Sequence, residues 1–233
     1  NMNVVITGAS QGIGFAIAAA FAKEGHTLLL CSKTPGNIQL AKEQLTSQFP
    51  QAIVHAMSAD LSVKQECVAF ADWCLEKGAP DILVNNAGFF LPGNIQDEAD
   101  EVLEKQMASN LYSAYHTTRA LLPAMLKRTK GHIFNICSIA SLNAYANGGS
   151  YSISKFALLG FSKNLRMELK DSGIKVTAVC PGATYTNSWK DSGVSLERIM
   201  EAEDIAKMIF AAAHLSPQAV VEDIVMRPQK GDL

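Results

Sequence analysis

The most constraining feature of the sequence is a short apolar run that enters a glycine-rich turn and then a helical pattern. Val4-Val5-Ile6 is followed by Thr7-Gly8-Ala9-Ser10-Gln11-Gly12-Ile13-Gly14, and the helical periodicity begins near Gly12. Glycines in such a turn let the backbone bend tightly, let a phosphate approach it and let the helix pack close to the strand. Free N–H groups at the helix start attract an anion. The segment predicts a βα unit that holds a nucleotide, although a tight turn without a ligand can have the same glycines.

The rest of the chain repeats this alternation of strand and helix. Apolar runs predict strands near 3–7, 27–31, 52–57, 81–85, 131–137, 174–180 and 219–226, and helical patterns lie near 12–25, 36–48, 62–77, 98–128, 151–171 and 203–214. The run Thr27-Leu28-Leu29-Leu30 is typical of a parallel strand covered on both faces. The predicted fold is an α/β doubly wound parallel sheet of Rossmann type, with about seven strands and helices on both faces. Residues 2–233 are predicted to form one domain, and Asn1, ahead of Met2, is interpreted as a cloning remnant.

The overall composition limits the classes of function. The chain has 233 residues, a net charge of −2 and no basic block, so neither a nucleic acid nor a membrane is an expected partner. No apolar run approaches the roughly 20 residues of a membrane span. The 5 cysteines lack Cys-x-x-Cys or zinc-ligand spacing. This pattern predicts reduced thiols in a cytoplasmic protein without a metal site.

Two side chains in the second half of the chain can perform proton transfer. Tyr151 and Lys155 are four positions apart and therefore share one face of a predicted helix. An ammonium group beside a phenol stabilises the phenolate, which makes the tyrosine a better acid–base group near neutral pH. The same spacing is common on solvated helix faces, so the pair alone indicates little.

The order of several short motifs carries a resemblance to a known family. The motifs are Thr7-Gly8-x-x-x-Gly12-Ile13-Gly14, Asp60-Leu61, Asn85-Asn86-Ala87-Gly88, Asn110, Ser138, Tyr151-x-x-x-Lys155 and Pro181-Gly182. With this order and spacing, nearly the whole chain resembles the short-chain dehydrogenase/reductase family in its single-domain form. The narrower likeness is to sepiapterin-reductase-like or 3-oxoacyl-carrier-protein-reductase-like enzymes.

The resemblance implies a catalytic set of four residues. Tyr151 exchanges a proton with the substrate oxygen, Ser138 hydrogen-bonds the same oxygen, and Lys155 supports the phenolate and holds the nicotinamide ribose. Asn110 holds, through its backbone, a water that connects the lysine to solvent, unless it is only a buried structural amide. The implied reaction is hydride transfer between a nicotinamide cofactor and a carbonyl or secondary alcohol.

The resemblance also implies cofactor contacts beyond the carboxyl ends of the strands. These come from Gly8, Ser10, Gln11, Gly12, Ile13, Gly14, Ser32, Lys33, Asp60, Leu61, Asn86, Ala87, Gly88, Tyr151, Lys155, Pro181, Gly182, Thr184 and Thr186. Asp60 is expected to face the adenine with Leu61 beside the ring, unless Asp60 only caps the following helix.

The end of the second strand indicates which nicotinamide cofactor is used. An acidic residue there binds a ribose 2′-OH and repels a 2′-phosphate. Ser32 stands where NAD-preferring relatives carry Asp, and Lys33 stands where NADP-preferring relatives carry a basic residue, so NADP is favoured over NAD. Lys33 as a solvated loop charge is the alternative, and Gln11 departs from the basic residue often found in the glycine turn of NADP-preferring relatives.

Three loops are expected to contact the substrate, namely 89–95, 139–149 and 183–200. Their apolar and aromatic side chains are Phe89, Phe90, Leu91, Tyr145, Tyr185 and Trp189. Such a lining favours a small apolar or aromatic carbonyl compound, although half or more of these side chains can serve packing alone.

The resemblance implies a homodimer or homotetramer, since relatives usually pair through the helices near 98–128 and 151–171. Three alternative functions remain open. They are a 3-oxoacyl thioester reductase, a non-catalytic nucleotide sensor on the same fold, and an epimerase or dehydratase.

Overall fold

A computed structural model describes the backbone of residues 1–233 and every side chain except that of Ser188. The strands are β1 Asn3–Thr7, β2 Thr27–Ser32, β3 Ile53–Ser58, β4 Ile82–Asn85, β5 Gly131–Ile136, β6 Ile174–Pro181 and β7 Asp223–Met226. The α-helices are α1 Gly12–Lys23, α2 Pro35–Gln48, α3 Lys64–Leu75, α4 Val102–Met107, α5 Ser113–Arg128, α6 Gly149–Leu169 and α7 Ala202–Ala213. A π-helical turn covers Ala108–Tyr112, and short 3₁₀ turns cover Ile139–Ser141, Asn187–Trp189 and Leu196–Arg198.

The described strands form one parallel sheet in the order β3-β2-β1-β4-β5-β6-β7. On β1, Val5 pairs with Leu29 of β2 on one side and with Leu83 of β4 on the other. The strand order therefore reverses direction at β1 and β4. In open sheets of this kind a ligand crevice forms at the reversal, beyond the carboxyl ends of the strands.

Both faces of the sheet are buried, as the continuous apolar strands predict. Val4 and Ile6 of β1 pack into a core with helices α1, α2 and α7, whereas Val5 between them packs into a second core with α3, α5 and α6. Because side chains alternate between the faces of a strand, one apolar run fills both cores. The predicted Rossmann-type fold with helices on both faces is confirmed.

Two predicted elements differ from the structure. The helix predicted over 98–128 begins only at Val102, because residues 94–98 form a turn in which the Asn94 carbonyl accepts from the N–H groups of Asp97 and Glu98 at 3.0 Å each. From Val102 onward α4, the π-helical turn and α5 follow one another without a gap. Ladder pairing of the strand predicted over 219–226 begins only at Asp223, at the edge of the sheet. The apolar periodicity of the sequence does not show where either of these two elements begins.

Two further findings concern membrane-spanning helices and the state of the cysteines. No helix among the described residues has the length and apolar character needed to cross a bilayer. All five cysteines are buried free thiols. The cytoplasmic location stays a prediction.

Candidate active site

The glycine turn after β1 has a backbone that other residues would strain. Gly8 and Gly12 both have φ of +60°, and a Cβ on Gly8 would lie 3.0 Å from the Cα of Ala87. A Cβ on Gly14 would overlap the carbonyl oxygen of Gly8 and the side-chain nitrogen of Asn86. The glycines therefore let α1 start directly against the ends of β1 and β4, with its first N–H groups facing the crevice.

Asn86 fastens the end of β4 to this turn. Its side-chain Nδ2 donates to the carbonyl oxygens of Thr7 at 3.1 Å and Gly8 at 2.9 Å. In return the Thr7 hydroxyl accepts from the backbone N–H groups of Asn86 at 3.0 Å and Ala87 at 2.9 Å. Sequence reasoning gave Thr7 no role, although a hydroxyl at the end of a buried strand needs a partner.

The ends of β2 and β3 bring a cation and an anion together. Lys33 Nζ lies 3.1 Å from Asp60 Oδ2. Asp60 Oδ1 also accepts from the backbone N–H of Ser62 at 3.1 Å and from its hydroxyl at 2.6 Å. Burial acts to raise the pKa of Asp60, but the hydrogen bonds from Ser62 and Lys33 outweigh it and hold the pKa below its usual value. Helix α3 is capped at Val63, so the Asp60 side chain is not its cap.

Ser32 and Leu61 flank this ion pair in different surroundings. The Ser32 hydroxyl is buried without a hydrogen-bond partner among the described residues. Leu61 is only 6% exposed and packs in the core beneath α3. An orphaned hydroxyl at the end of β2 is a donor that a ribose can satisfy.

Helix α6 carries Tyr151 in its first turn and Lys155 one turn further on. Lys155 Nζ lies 5.8 Å from the centre of the Tyr151 ring and donates to the Ile136 carbonyl oxygen at 2.9 Å. The lysine is only 7% exposed, and no ion pair to it is found among the described side chains. A buried ammonium normally has an anionic partner, so this one is placed to receive a negatively charged or strongly accepting group.

Ser138 follows β5 and is held by a reciprocal cap. Its hydroxyl oxygen accepts from the Ala140 N–H at 3.1 Å, and the Ser141 hydroxyl oxygen accepts from the Ser138 N–H at 3.1 Å. The Ala140 carbonyl oxygen accepts from the Ser152 hydroxyl at 3.0 Å, which ties this turn to α6 beside Tyr151. Since the Ser138 hydroxyl only accepts here, its proton is free to be donated to a substrate oxygen.

Asn110 lies in the π-helical turn and its side chain is fully engaged. Its Oδ1 accepts from the Phe89 N–H at 2.9 Å. The two N–H groups of Nδ2 face three acceptors, which are the Phe89 carbonyl oxygen, Gln106 Oε1 and Ser154 Oγ at 3.1, 3.0 and 2.9 Å. A π turn frees backbone groups from the regular helical pattern and often occurs at functional sites. The side chain anchors the loop after β4, which leaves only the backbone of Asn110 for a water.

The segment after β6 folds back over the glycine turn. Asn187 Nδ2 donates to Gln11 Oε1 at 2.7 Å, and the Thr186 methyl carbon lies 3.2 Å from where a Cβ on Gly12 would be. The Gly182 N–H donates to the Met226 carbonyl oxygen at 2.7 Å, which anchors the start of this segment to β7. Sequence reasoning missed Asn187, although the adjacent Thr186 was a predicted cofactor contact.

A wide cleft opens beside the start of α6. It has a volume of about 830 Å³ and its apolar lining is Ile95, Ala144, Tyr145, Ile153 and Phe156. Burial, with a smaller contribution from Tyr151, raises the pKa of Tyr145 to about 12, so this second phenol stays protonated at neutral pH. Phe90 packs edge-on against the Tyr151 ring with centroids 4.8 Å apart.

The predicted site residues therefore meet at one edge of the sheet. The glycine turn, Lys33, Asp60, Asn86 and Ser138 each follow the carboxyl end of a strand, and Pro181 is the last residue of β6. Tyr151 and Lys155 face the same edge from α6. The cradle without Cβ atoms, the orphaned Ser32 hydroxyl and the unpaired Lys155 ammonium all fit a dinucleotide cofactor.

Comparisons with known proteins agree with this geometry. The family model for short chain dehydrogenase matches residues 2–195. Sepiapterin reductase from Chlorobaculum tepidum is 32% identical over 239 residues, covering 99% of this chain and 97% of that protein.

Solved structures give the same result. L-sorbose reductase from Gluconobacter frateurii, complexed with NADPH and L-sorbose, superimposes with a TM-score of 0.90 at 28% identity, covering 97% of this chain and 95% of that chain. Serine dehydrogenase in its closed form, complexed with NADP+, has a TM-score of 0.88 at 27% identity, covering 100% of this chain and 97% of that chain.

Fold and site thus define an oxidoreductase that uses a nicotinamide cofactor and acts on CH–OH or carbonyl groups. The chain belongs to the short-chain dehydrogenase family.

Proposed function

We propose that the protein is an NADP(H)-dependent reductase of small carbonyl compounds, running in reverse on secondary alcohols. The observation that carries the proposal is the buried Lys155 ammonium, which has a hydrogen bond to Ile136 and no described anionic partner while lying beside Tyr151. A purely structural role would leave this charge uncompensated, which is energetically costly. We also propose that residues 2–233 form one domain that combines the cofactor and substrate sites.

The proposed chemistry divides among four residues. Tyr151 donates a proton to the developing alkoxide, and Ser138 donates its free hydroxyl proton to the same oxygen. The remaining N–H groups of Lys155 bind the nicotinamide ribose and stabilise the Tyr151 phenolate. The Asn110 backbone holds a water that returns a proton toward Lys155. Bound nicotinamide supplies the hydride chemistry.

We propose NADP over NAD because Lys33 is a basic side chain at the end of β2 and Ser32 replaces the acidic residue that would repel a 2′-phosphate. Two similar solved structures, L-sorbose reductase and serine dehydrogenase, were determined with NADPH and NADP+ respectively. The other cofactor contacts proposed are those of the glycine turn and of the segments after β3, β4 and β6.

The proposed substrate is a small apolar or aromatic carbonyl compound. Support comes from the loop after β4, where Phe89, Phe90 and Leu91 are exposed and Phe90 packs on the Tyr151 ring. The similarity to a sepiapterin reductase favours a flat ring system carrying a carbonyl group over an extended acyl thioester.

The experiment that tests this function is an NADPH-oxidation screen across ketones, diketones, quinones and acyl thioesters, followed by Tyr151→Phe on the best substrate. Because the phenol is the proposed acid, turnover should fall by about 10²–10⁴-fold while cofactor binding, measured by calorimetry, is unchanged. Tyr115→Phe, which removes a hydroxyl exposed on α5, is the matched control and should keep parental turnover.

Near-parental turnover in Tyr151→Phe would remove the proposed proton relay. If no compound in the screen oxidises NADPH while the cofactor still binds, the proposed substrate class is wrong.

A further inference from the structure

The only basic side chain proposed to reach the 2′-phosphate is already paired in this structure. Lys33 Nζ lies 3.1 Å from Asp60 Oδ2, and the lysine side chain is 76% exposed against 26% for the aspartate. The exposed partner can move, whereas the aspartate is held by two hydrogen bonds from Ser62. A ligand phosphate that approaches Lys33 must therefore approach the Asp60 carboxylate as well.

The backbone keeps the two residues together. The Ser58 hydroxyl donates to the Lys33 carbonyl oxygen at 3.0 Å, and the Ala59 N–H donates to the Ser32 carbonyl oxygen at 2.9 Å. The Asp60 N–H is in turn bound by Glu66 Oε2 at 2.5 Å. The ends of β2 and β3 are thus joined by two hydrogen bonds next to the ion pair, and these fix the separation of the two segments.

We propose that Asp60 is a specificity-determining residue that lowers the preference for a 2′-phosphate by pairing with Lys33. The inference rests on the proposed function, since it assumes that Lys33 is the phosphate contact. The fixed carboxylate competes with the phosphate for one ammonium group and repels the phosphate when both are near it. NADP(H) is favoured over NAD(H) by less than Lys33 alone would give.

The size of the effect follows from simple electrostatics. A phosphate bound to Lys33 lies on the order of 6 Å from the carboxylate, where water weakens the repulsion without abolishing it, and a phosphate carries more than one unit of negative charge. Removal of the aspartate charge should therefore tighten 2′-phosphate binding by about three- to tenfold. The gain should shrink in high salt because exposed charges are screened.

The test uses ligand fragments, so it does not depend on turnover. Calorimetry gives the Kd of adenosine 2′,5′-bisphosphate and of 5′-AMP. The Kd of 5′-AMP divided by that of the bisphosphate reports the 2′-phosphate alone, because any adenine contact of Asp60 cancels. Asp60→Asn keeps an oxygen that can accept from Ser62 and should raise the ratio by about three- to tenfold at low salt. Asp72→Asn, an exposed carboxylate on α3, is the charge-matched control and should leave the ratio unchanged.

The same change in a Lys33→Ala background separates the ion pair from simple repulsion, and there Asp60→Asn should raise the ratio by a smaller factor. An unchanged or lower ratio in Asp60→Asn, or an equal gain in both backgrounds, would overturn the proposal. Failure of the proposed NADP preference has another signature: the parent protein would bind both fragments equally and Lys33→Ala would change neither.

Discussion

His132 shows how a single buried residue couples stability to pH. It is 5% exposed on β5, and burial, with a smaller effect from the Lys175 ammonium, lowers its pKa to about 3. The Thr177 hydroxyl donates to the Val221 carbonyl oxygen at 2.6 Å, so it accepts from His132 Nε2 at 2.7 Å. The neutral Nε2–H form is therefore built into the contact between β5, β6 and the segment leading to β7.

The pH dependence follows from the sign of this shift. Because an unfolded histidine has a pKa of about 6.5, the unfolded chain binds the extra proton between pH 6.5 and about 3 and stability falls as the pH falls. Between pH 7 and pH 5 His132 should cost about 2 kcal/mol of unfolding free energy. His132→Gln keeps an N–H donor but does not titrate. In urea unfolding, its free energy of unfolding should therefore fall between pH 7 and pH 5 by about 2 kcal/mol less than that of the parent protein. Equal slopes in the two proteins would contradict the assignment.

At the scale of elements, the start of α6 depends on a side chain from a distant loop. Glu98 accepts from the Ser150 N–H at 2.9 Å with one carboxylate oxygen and from the Ser150 hydroxyl with the other. The Gly93 N–H donates to the Asn147 carbonyl oxygen at 3.0 Å, so the loop is also tied by its backbone. A negative group at a helix N-terminus satisfies free N–H groups and complements the helix dipole. The turn that presents Tyr151 is therefore set by the loop after β4.

Glu98→Ala should destabilise the protein by about 1–2 kcal/mol, because it leaves a helix N-terminus without its acceptor. Turnover on a substrate from the screen should fall while binding of adenosine 2′,5′-bisphosphate stays unchanged, since Tyr151 is displaced and the glycine turn is not. Glu104→Ala, an exposed carboxylate on α4, is the control and should change neither quantity. Parental turnover in Glu98→Ala would mean that α6 orients Tyr151 without this cap.

At the scale of the whole molecule, exposed apolar side chains form a stripe along α6. Ile153, Phe156 and Met167 are 42%, 45% and 67% exposed and recur at helical spacing, and Tyr115 and Leu126 add to the apolar surface on α5. Exposed apolar side chains that share one helix face favour association. Together with the family resemblance, it supports the predicted homodimer or homotetramer.

Light scattering at micromolar concentration should therefore give the mass of two or four chains. Phe156→Asp places a charge in the stripe and should shift the mass toward one chain. Leu40→Asp, on α2 at the opposite face of the sheet, should leave the assembly intact although Leu40 is 54% exposed. A parent protein with the mass of one chain would rule out the oligomer.

The sequence alone determined the sheet, its two covered faces and the edge where the site lies. These follow from local properties: apolar runs that fill both cores, and glycines at positions where the backbone must reach φ of +60°. The resemblance added roles for Ser138, Tyr151 and Lys155, which the fold brings to that edge and which remain predictions.

Only the tertiary structure decided the contacts that tune the site. Glu98 and Ser150 are 52 positions apart, Asn110 and Phe89 are 21 apart, and Gln11 and Asn187 are 176 apart. The pairing of Lys33 with Asp60, the π turn at Asn110 and the late start of β7 likewise depend on which segments the sheet brings together. Periodicity and propensity describe a segment by its own residues, so they cannot register an interaction whose partner lies on another strand or helix.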